Sequence, residues 1–331
     1  MNNTIPIWRD YYVSDSNAGD FLIVEDKTGG EILYSGTASI LPDEEEVTIN
    51  VSDVIYNYLE NNINLFPTTG TTGLNNKYVL PVRVEFTDGE TYNISFRNDY
   101  SYQNELPMPL TNSTSYPING KLHPKQYFIT SWFNTTQPEE ITLNIAGTNR
   151  DIHSNFLNTG LNYTMGLEYF NFTPNSKIDV IYTGGTLSYK IMDCTTSDYV
   201  LYYKNAYGGW DSFVIEGNVE RTDKLTNSSY RRAYSNNKNR GNKQQRNLVN
   251  YLTTIHPSYK LYTHYMSDAE SLRMHHLLES NEIFMHQLST NMIYPINITD
   301  KNVVYQTYTT NGRQMVQYTI NVETSQREYR R

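Results

Sequence analysis

The sequence predicts a mainly β protein: two β-sandwich modules of the immunoglobulin-like type, followed by a small α+β module at the C-terminal end. Three observations predict this class. The 331 residues include 30 Tyr and 11 Phe, side chains that suit half-buried pleated surfaces. Short stretches of alternating polar and apolar residues recur along the chain. Turn signals such as Asp88-Gly89 and Asn311-Gly312 separate these stretches and indicate β-hairpins.

The first module is predicted over residues 1–100 and is mostly antiparallel. One helix, Asp53–Asn61, is expected within it, because apolar residues recur there at helical spacing and Ser52 is a suitable N-cap. Asp88-Gly89 joins the two strands of a predicted hairpin. The predicted strands of this module are 5–13, 20–25, 31–36, 47–51, 78–86 and 92–96.

Residues 101–125 are predicted to be a linker or an arm, since prolines and turn signals interrupt any periodic pattern there. The second β-sandwich module is predicted over residues 126–218, with Gly184-Gly185 as a hairpin turn. Short strands separated by turns at this spacing are typical of a sandwich. The predicted strands are 126–133, 140–145, 163–172, 176–182, 186–194, 199–203 and 212–217.

Residues 219–250 form a basic segment without strong periodicity, which we interpret as an arm. Residues 221–246 contain eight Lys and Arg and one acidic residue, Asp223, so their formal net charge is +7. The whole chain has a net charge of −9, so the remaining residues together have −16. Such a segment suits docking on an acidic neighbouring subunit, or non-specific contact with DNA phosphates. The candidate contact residues are Arg231, Arg232, Lys238, Arg240, Lys243 and Arg246.

The C-terminal module, residues 251–331, is predicted to be α+β. Ser267 and Glu270 form a capping-box pattern ahead of a helix that is expected to reach about Ser280. Strands are predicted at 283–287, 293–298, 303–309 and 315–322. Thr310-Asn311-Gly312-Arg313 between the last two strands is the strongest hairpin signal in the chain.

The most informative stretch joins two predicted strands through a pair of glycines placed between aromatic residues. Glycine reaches backbone conformations that other residues resist, and the flanking aromatic side chains bury large areas. We therefore interpret the stretch as a tight structural turn in which Trp210 is buried and Asp211 accepts backbone N–H groups. The residues of this turn motif are Asn205, Gly208, Gly209, Trp210 and Asp211.

Residue patterns that carry chemistry are sparse. The single cysteine, Cys194, excludes an intrachain disulfide framework and a cysteine-based zinc site. We interpret His264, His275, His276 and His286 as surface or interface residues, because their spacing does not place two metal ligands on one helix face. No phosphate-binding motif is apparent, and no run approaches the roughly 20 apolar residues that span a bilayer. We therefore predict no enzymatic activity, catalytic residue, metal, cofactor or membrane contact.

Four parts of the chain, which together span most of its length, resemble virion proteins from tailed phages of Bacteroidota, the crAss-like group in particular. The central stretch Tyr203–Phe213 is the most specific of the four. The others are Ile5–Tyr12, Phe96–Tyr102 and the tail layout of Tyr294-Pro295-Ile296, Asn311-Gly312 and Gln317–Ile320.

The resemblance implies a structural virion protein, a subunit of a homo-oligomeric ring in the tail or connector, around the channel through which DNA leaves. It implies further copies of itself as partners, in a six- or twelve-fold ring, together with neighbouring portal and tail proteins. It places the protein in the virion, after synthesis in the host cytoplasm. A tail fibre or a receptor- or glycan-binding module is the alternative, in which aromatic-rich loops around Trp132 or Trp210 would stack on sugars.

Overall fold

A computed structural model gives the fold of the chain. It describes residues 4–6, 9–26, 30–40, 45–61, 66, 73–75, 79–87, 91–97, 120–133, 141–151, 160–170, 172, 176–182, 185–192, 197–231, 248–266, 268–300, 317–325 and 328–330. Over these residues the protein is mainly β, as the sequence predicts, with 23 strands and two α-helices.

The chain divides into two compact units. The first contains residues 1–195 and 202–213, and the second contains residues 196–201 and 214–331. The divisions fall inside the strands Tyr199–Lys204 and Trp210–Val214. The five sequence segments proposed above stay a prediction, but two local differences from them are described below.

The N-terminal part of the first unit contains two sheets and one helix. Its strands are β1 (Thr4–Pro6), β2 (Tyr12–Asp15), β3 (Gly19–Glu25), β4 (Ile32–Ala38), β5 (Val47–Asn50), β6 (Gly73–Asn75), β7 (Val79–Phe86) and β8 (Thr91–Arg97). Five of them form a sheet in the order β1-β8-β7-β3-β4, and β2 pairs antiparallel with β5. The predicted hairpin is present as β7 and β8, which pair antiparallel from Val79–Arg97 to Glu85–Thr91. Its turn residues, 88–90, lie outside the described residues.

Helix α1 (Ser52–Asn61) closes the core of this part. Val51, Ile55 and Leu59 recur every four residues and are at most 1% exposed, so one stripe of the helix faces the two sheets. The expectation that Ser52 is the N-cap is wrong. The Val51 carbonyl accepts the first helical bond, from Ile55 N–H, while the Ser52 hydroxyl accepts Tyr11 N–H and donates to the Arg9 carbonyl. Ser52 therefore fixes the preceding loop.

The rest of the first unit contains two sheets that share one core. Its strands are β9 (Gly120–Leu122), β10 (Tyr127–Phe133), β11 (Thr142–Ile145), β12 (Thr148–Asp151), β13 (Gly160–Gly166), β14 (Lys177–Tyr182) and β15 (Gly185–Ile191), with a short 3-10 helix at Leu167–Tyr169. The sheet orders are β10-β13-β6 and β12-β11-β14-β15-β9. Phe128, Trp132 and Met165 of the first sheet pack with Val180 and Tyr189 of the second.

One strand of this region lies inside the segment that the sequence analysis interprets as a linker. Gly120–Leu122 runs parallel to Tyr189–Ile191 and places Leu122 in the shared core. Three residues are too few to show alternation, and the partner lies nearly seventy residues away. Tertiary pairing therefore determines this strand rather than local sequence.

The remaining strands form the largest sheet, and the second helix lies between two of them in sequence. They are β16 (Tyr199–Lys204), β17 (Trp210–Val214), β18 (Val219–Arg231), β19 (Leu248–Tyr262), β20 (Ile283–Gln287), β21 (Met292–Ile298), β22 (Thr319–Thr324) and β23 (Glu328–Arg330), with α2 at Asp268–Glu279. The order is β17-β16-β20-β21-β22-β19-β18, and β23 pairs with β19. The predicted helix, the predicted strand 283–287 and the strand predicted at 293–298 are present.

The predicted basic arm differs from the structure. Its first thirteen residues, Val219–Arg231, form β18 and pair antiparallel with β19 along its whole length, with a register shift at Ser228/Ser229. We call β18 and β19 together the ribbon. Residues 232–247, the predicted strand 303–309 and the predicted turn 310–313 lie outside the described residues. Neither described helix is long and apolar enough to cross a membrane.

Candidate functional site

The predicted turn motif is held together by the side chain of Asn205. Its Oδ1 accepts the backbone N–H groups of Tyr207 at 3.0 Å and Gly209 at 3.1 Å, and its Nδ2 donates to Asp211 Oδ2 at 2.8 Å. The Asn205 backbone adds two more bonds, from its N–H to the Gly209 carbonyl and from Gly208 N–H to its carbonyl. Gly208 has φ of 81°, a conformation that favours glycine. Asn205 is therefore the centre of the turn.

Asn205, which the turn interpretation does not single out as an acceptor, takes two backbone N–H groups of the turn. Asp211 accepts the side-chain amide of Asn205 and so fixes its orientation. The expectation that Asp211 also accepts backbone N–H groups stays a prediction. Because Asn205 is 0% and Asp211 5% exposed, these bonds lie away from water.

The turn is anchored to the neighbouring sheet of the first unit. Trp210 is 1% exposed, as the turn interpretation expects, and its backbone N–H donates to Ser131 Oγ at 2.9 Å. Ser212 Oγ accepts Gln126 Nε2 at 3.0 Å. Ser131 and Gln126 are separated from the turn by about eighty residues, so no local pattern could have identified them as its partners.

Tyr202, just before the turn, makes a second anchor. Its hydroxyl accepts Tyr127 N–H at 2.8 Å, and its aromatic ring lies 5.2 Å from that of Phe66. The side chain is fully buried, and this burial raises the pKa of Tyr202 above its ordinary value. Tyr202 therefore stays neutral and acts as a structural hydrogen-bond acceptor.

Neither tryptophan considered for sugar stacking is accessible. Trp132 is 0% and Trp210 1% exposed, and the Trp132 indole N–H donates to Thr130 Oγ1 at 2.9 Å. The two indole rings themselves are therefore buried, and stacking of sugars on the loops around them stays a prediction. The hydrogen bonds to Ser131 and Gln126 therefore hold the turn against other residues of the first unit.

Of the basic candidate residues, the structure describes Arg231, which is exposed and lies opposite Leu248 at the end of the ribbon. Arg232, Lys238, Arg240, Lys243 and Arg246 lie outside the described residues. Nearer the body of the sheet, Arg221 forms a two-point ion pair with Asp223, at 2.7 and 3.1 Å, and lies over the Tyr259 ring. The ribbon thus combines basic and aromatic side chains.

Strand β18 of the ribbon is the longest largely exposed strand among the described residues. Nearly every residue of β18 is exposed, and β18 is an edge strand, since β19 is its one neighbour among the described strands. Among the described residues, four of the twelve exposed large hydrophobic side chains lie on the ribbon: Leu225, Tyr230, Leu248 and Tyr251. The Tyr230 and Tyr251 rings lie 6.1 Å apart. Long, exposed edge strands of this kind are templates for pairing with another chain.

The described histidines do not converge. His286 Nε2 lies 2.9 Å from Asn291 Oδ1, and His264 Nδ1 lies 3.5 Å from Glu216. His286 is 1% exposed, so the expectation that it lies on the surface is wrong. Among the described residues, no group of three or more His, Cys, Asp or Glu is placed to hold a metal ion.

Known proteins offer little similarity to this chain. No protein-family model and no curated protein sequence match the chain. Among solved structures, one that is similar is the full extracellular region of plexin A4, domains 1 to 8, at 9% identity. The match covers 97% of this chain and 35% of the plexin chain, with a TM-score of 0.18. The chain thus spans about a third of the plexin chain, and this likeness is too weak to assign a fold.

Proposed function

We propose that the chain is a structural virion protein, a subunit of a homo-oligomeric ring in the tail or connector of a tailed phage of Bacteroidota. The observation that carries the proposal is the resemblance of Tyr203–Phe213 to the central stretch of such virion proteins. Its residues form a buried, internally hydrogen-bonded turn, consistent with a role in architecture. A subunit of this kind acts mechanically and has no catalytic activity of its own.

The finer fold assignment belongs to the same proposal. Two immunoglobulin-like sandwiches are supported by the two separate cores of the first unit, each shared by two sheets. A small α+β module at the C-terminal end is supported by α2 between β19 and β20. Sandwich modules of this kind offer flat faces for side-by-side packing around a ring.

The charge distribution supports repeated contact between copies. A segment with charge +7 on a chain whose remainder has charge −16 is complementary to the body of a neighbouring copy. Acidic surface facing the channel would let DNA slide without adhering. The proposed partners are therefore further copies, neighbouring portal and tail proteins and, non-specifically, DNA. The proposed location is the virion, after synthesis in the host cytoplasm.

Electron microscopy of the purified chain, negatively stained, tests this proposal. We expect annular particles with a central opening. Deletion of residues 224–246 should reduce the fraction of annular particles, because it removes most of the basic segment. Elongated trimers would contradict the proposal and favour the tail fibre.

A further inference from the structure

Several described strands lie at the end of a sheet, and two of them are both long and largely exposed. One is β18 (Val219–Arg231), and the other is β4 (Ile32–Ala38). In the described residues each has a neighbouring strand on one side only. Both are largely exposed and neither contains proline. β18 does carry charged residues and a register shift at Ser228/Ser229, features that limit edge pairing, so its regular edge is the stretch before that shift.

At both edges an exposed apolar side chain lies directly opposite a buried apolar residue of the neighbouring strand. In the first sheet, Tyr34 is 46% exposed and lies opposite Ile23, which is 0% exposed. On the ribbon, Leu225 is 62% exposed and lies opposite Ile255, which is 4% exposed. Directly paired residues lie on the same face of a sheet, so Tyr34 and Leu225 each extend a buried contact to the open edge. An added strand would cover both residues.

The two edges lie in segments of opposite charge. Residues 20–53, which contain β4, carry nine Asp and Glu against Lys27, a charge of −8. Residues 221–246, which contain most of β18, carry +7. Glu31, directly before β4, and Lys224, within β18, are both exposed. Two copies of the same segment repel each other, whereas the two unlike segments attract.

We propose that the chain associates head to tail with a second copy, the edge strand β18 of one copy pairing with the edge strand β4 of the next. Strand addition supplies main-chain hydrogen bonds along both edges, and the charged segments set the orientation. When two copies join through β18 of one and β4 of the other, one β18 edge and one β4 edge of the pair stay free. The contact therefore repeats, and it closes into a ring when the rotation between copies permits. This inference rests on the proposed ring function and identifies its contact.

Two double variants test the pairing. The ribbon variant Lys224→Glu/Leu225→Glu places acid on β18, and the edge variant Glu31→Lys/Ile32→Lys places base at β4. All four side chains are exposed, so both variants should fold. We expect each variant alone to weaken self-association roughly tenfold or more, since like charges then meet. Light scattering after size exclusion at several concentrations measures the change.

Mixing the two variants gives the decisive result. The ribbon variant keeps an intact β4, and the edge variant keeps an intact β18, so a 1:1 mixture restores one native contact for each pair. At a concentration at which each variant alone is dissociated, we expect the mixture to show a mass of at least twice the 38.4 kDa of one chain. A matched control, Lys190→Glu/Tyr265→Glu, changes the same kinds of exposed residue outside both strands and should assemble like the native chain.

The remaining outcomes separate this inference from the proposed function. If the native chain and both variants form the same ring, the pairing is refuted and the ring proposal stands. If the ribbon variant alone dissociates, the ribbon binds elsewhere, and the pairing with β4 is refuted. If both variants assemble normally but the ribbon variant loses salt-dependent binding to random duplex DNA, the basic segment contacts DNA instead. A native chain that stays monomeric at every concentration refutes both proposals.

Discussion

Replacing Asn205 by alanine should lower the free energy of unfolding of the first unit. Among single substitutions in the turn that delete hydrogen bonds without creating a clash, we expect this one to have the largest effect. The substitution deletes two bonds to backbone N–H groups, worth about 1 kcal/mol each, and one bond to a carboxylate, worth about 2 kcal/mol. The expected loss is therefore about 4 kcal/mol. Asn205 is 0% exposed, so water cannot replace the lost partners.

Urea denaturation followed by tryptophan fluorescence measures this loss. Trp132 and Trp210 are buried in the first unit, and the third tryptophan, Trp8, falls within the sequence range of that unit. The signal therefore reports the unit that contains the turn. This matters because a chain of two units need not unfold in a single transition.

Asn144→Ala is the matched control. Asn144 also bonds a backbone N–H in a turn, from Gly147, and a side chain, that of Asn149, but both bonds are exposed. Its loss should cost about 1 kcal/mol or less, because water substitutes. Equal losses for Asn144→Ala and Asn205→Ala would refute the reasoning that burial makes the Asn205 bonds strong.

Three further changes have defined outcomes. Asn205→Asp keeps both backbone bonds but places a second carboxyl group 2.8 Å from that of Asp211, which should raise the pKa of the pair. The stability of this variant should therefore be closest to that of the native chain at low pH and should fall as the pH rises. A difference in urea midpoint that does not change with pH would contradict this. Gly217→Ala would place its Cβ 2.1 Å from the Tyr262 carbonyl oxygen and should lower the stability of the second unit by about 1–3 kcal/mol or more, measured as faster amide hydrogen exchange in that unit. Gly19→Ala is the control and should have little effect, because no atom lies within 4 Å of its added Cβ. Because burial raises the pKa of Tyr202, the neutral form is favoured in the folded state, so stability is full below pH of about 10 and declines above it as the unfolded tyrosine ionises. Tyr202→Phe should reduce this loss of stability at alkaline pH. A pH profile of urea midpoints that is the same as that of the native chain would contradict the prediction.

Sequence reasoning succeeds where one face of an element is buried. β7 alternates between buried and half-buried residues, and α1 repeats buried residues every four positions, so both leave a periodic pattern. The pattern fails for β18, because nearly every residue of Val219–Arg231 is exposed and nothing selects apolar residues on either face. Its structure comes from pairing with β19, which local sequence does not record.

The turn shows the same limit at the scale of single side chains. The glycine pair and Trp210 identify a tight, buried turn from sequence alone. The sequence does not distinguish Asn205 from Asp211 as the acceptor of backbone N–H groups, since both side chains carry suitable oxygens. Nor does it reveal Ser131 as the partner of Trp210, because that contact forms only when distant strands meet.

The molar mass of the purified chain, measured by light scattering after size exclusion at several concentrations, tests the central claim most directly. The ring proposal predicts a closed species of six or twelve copies of the 38.4 kDa chain, with no larger forms as concentration rises. A trimer would contradict the ring and favour a tail fibre. A mass that stays at 38.4 kDa throughout would contradict self-assembly of the chain.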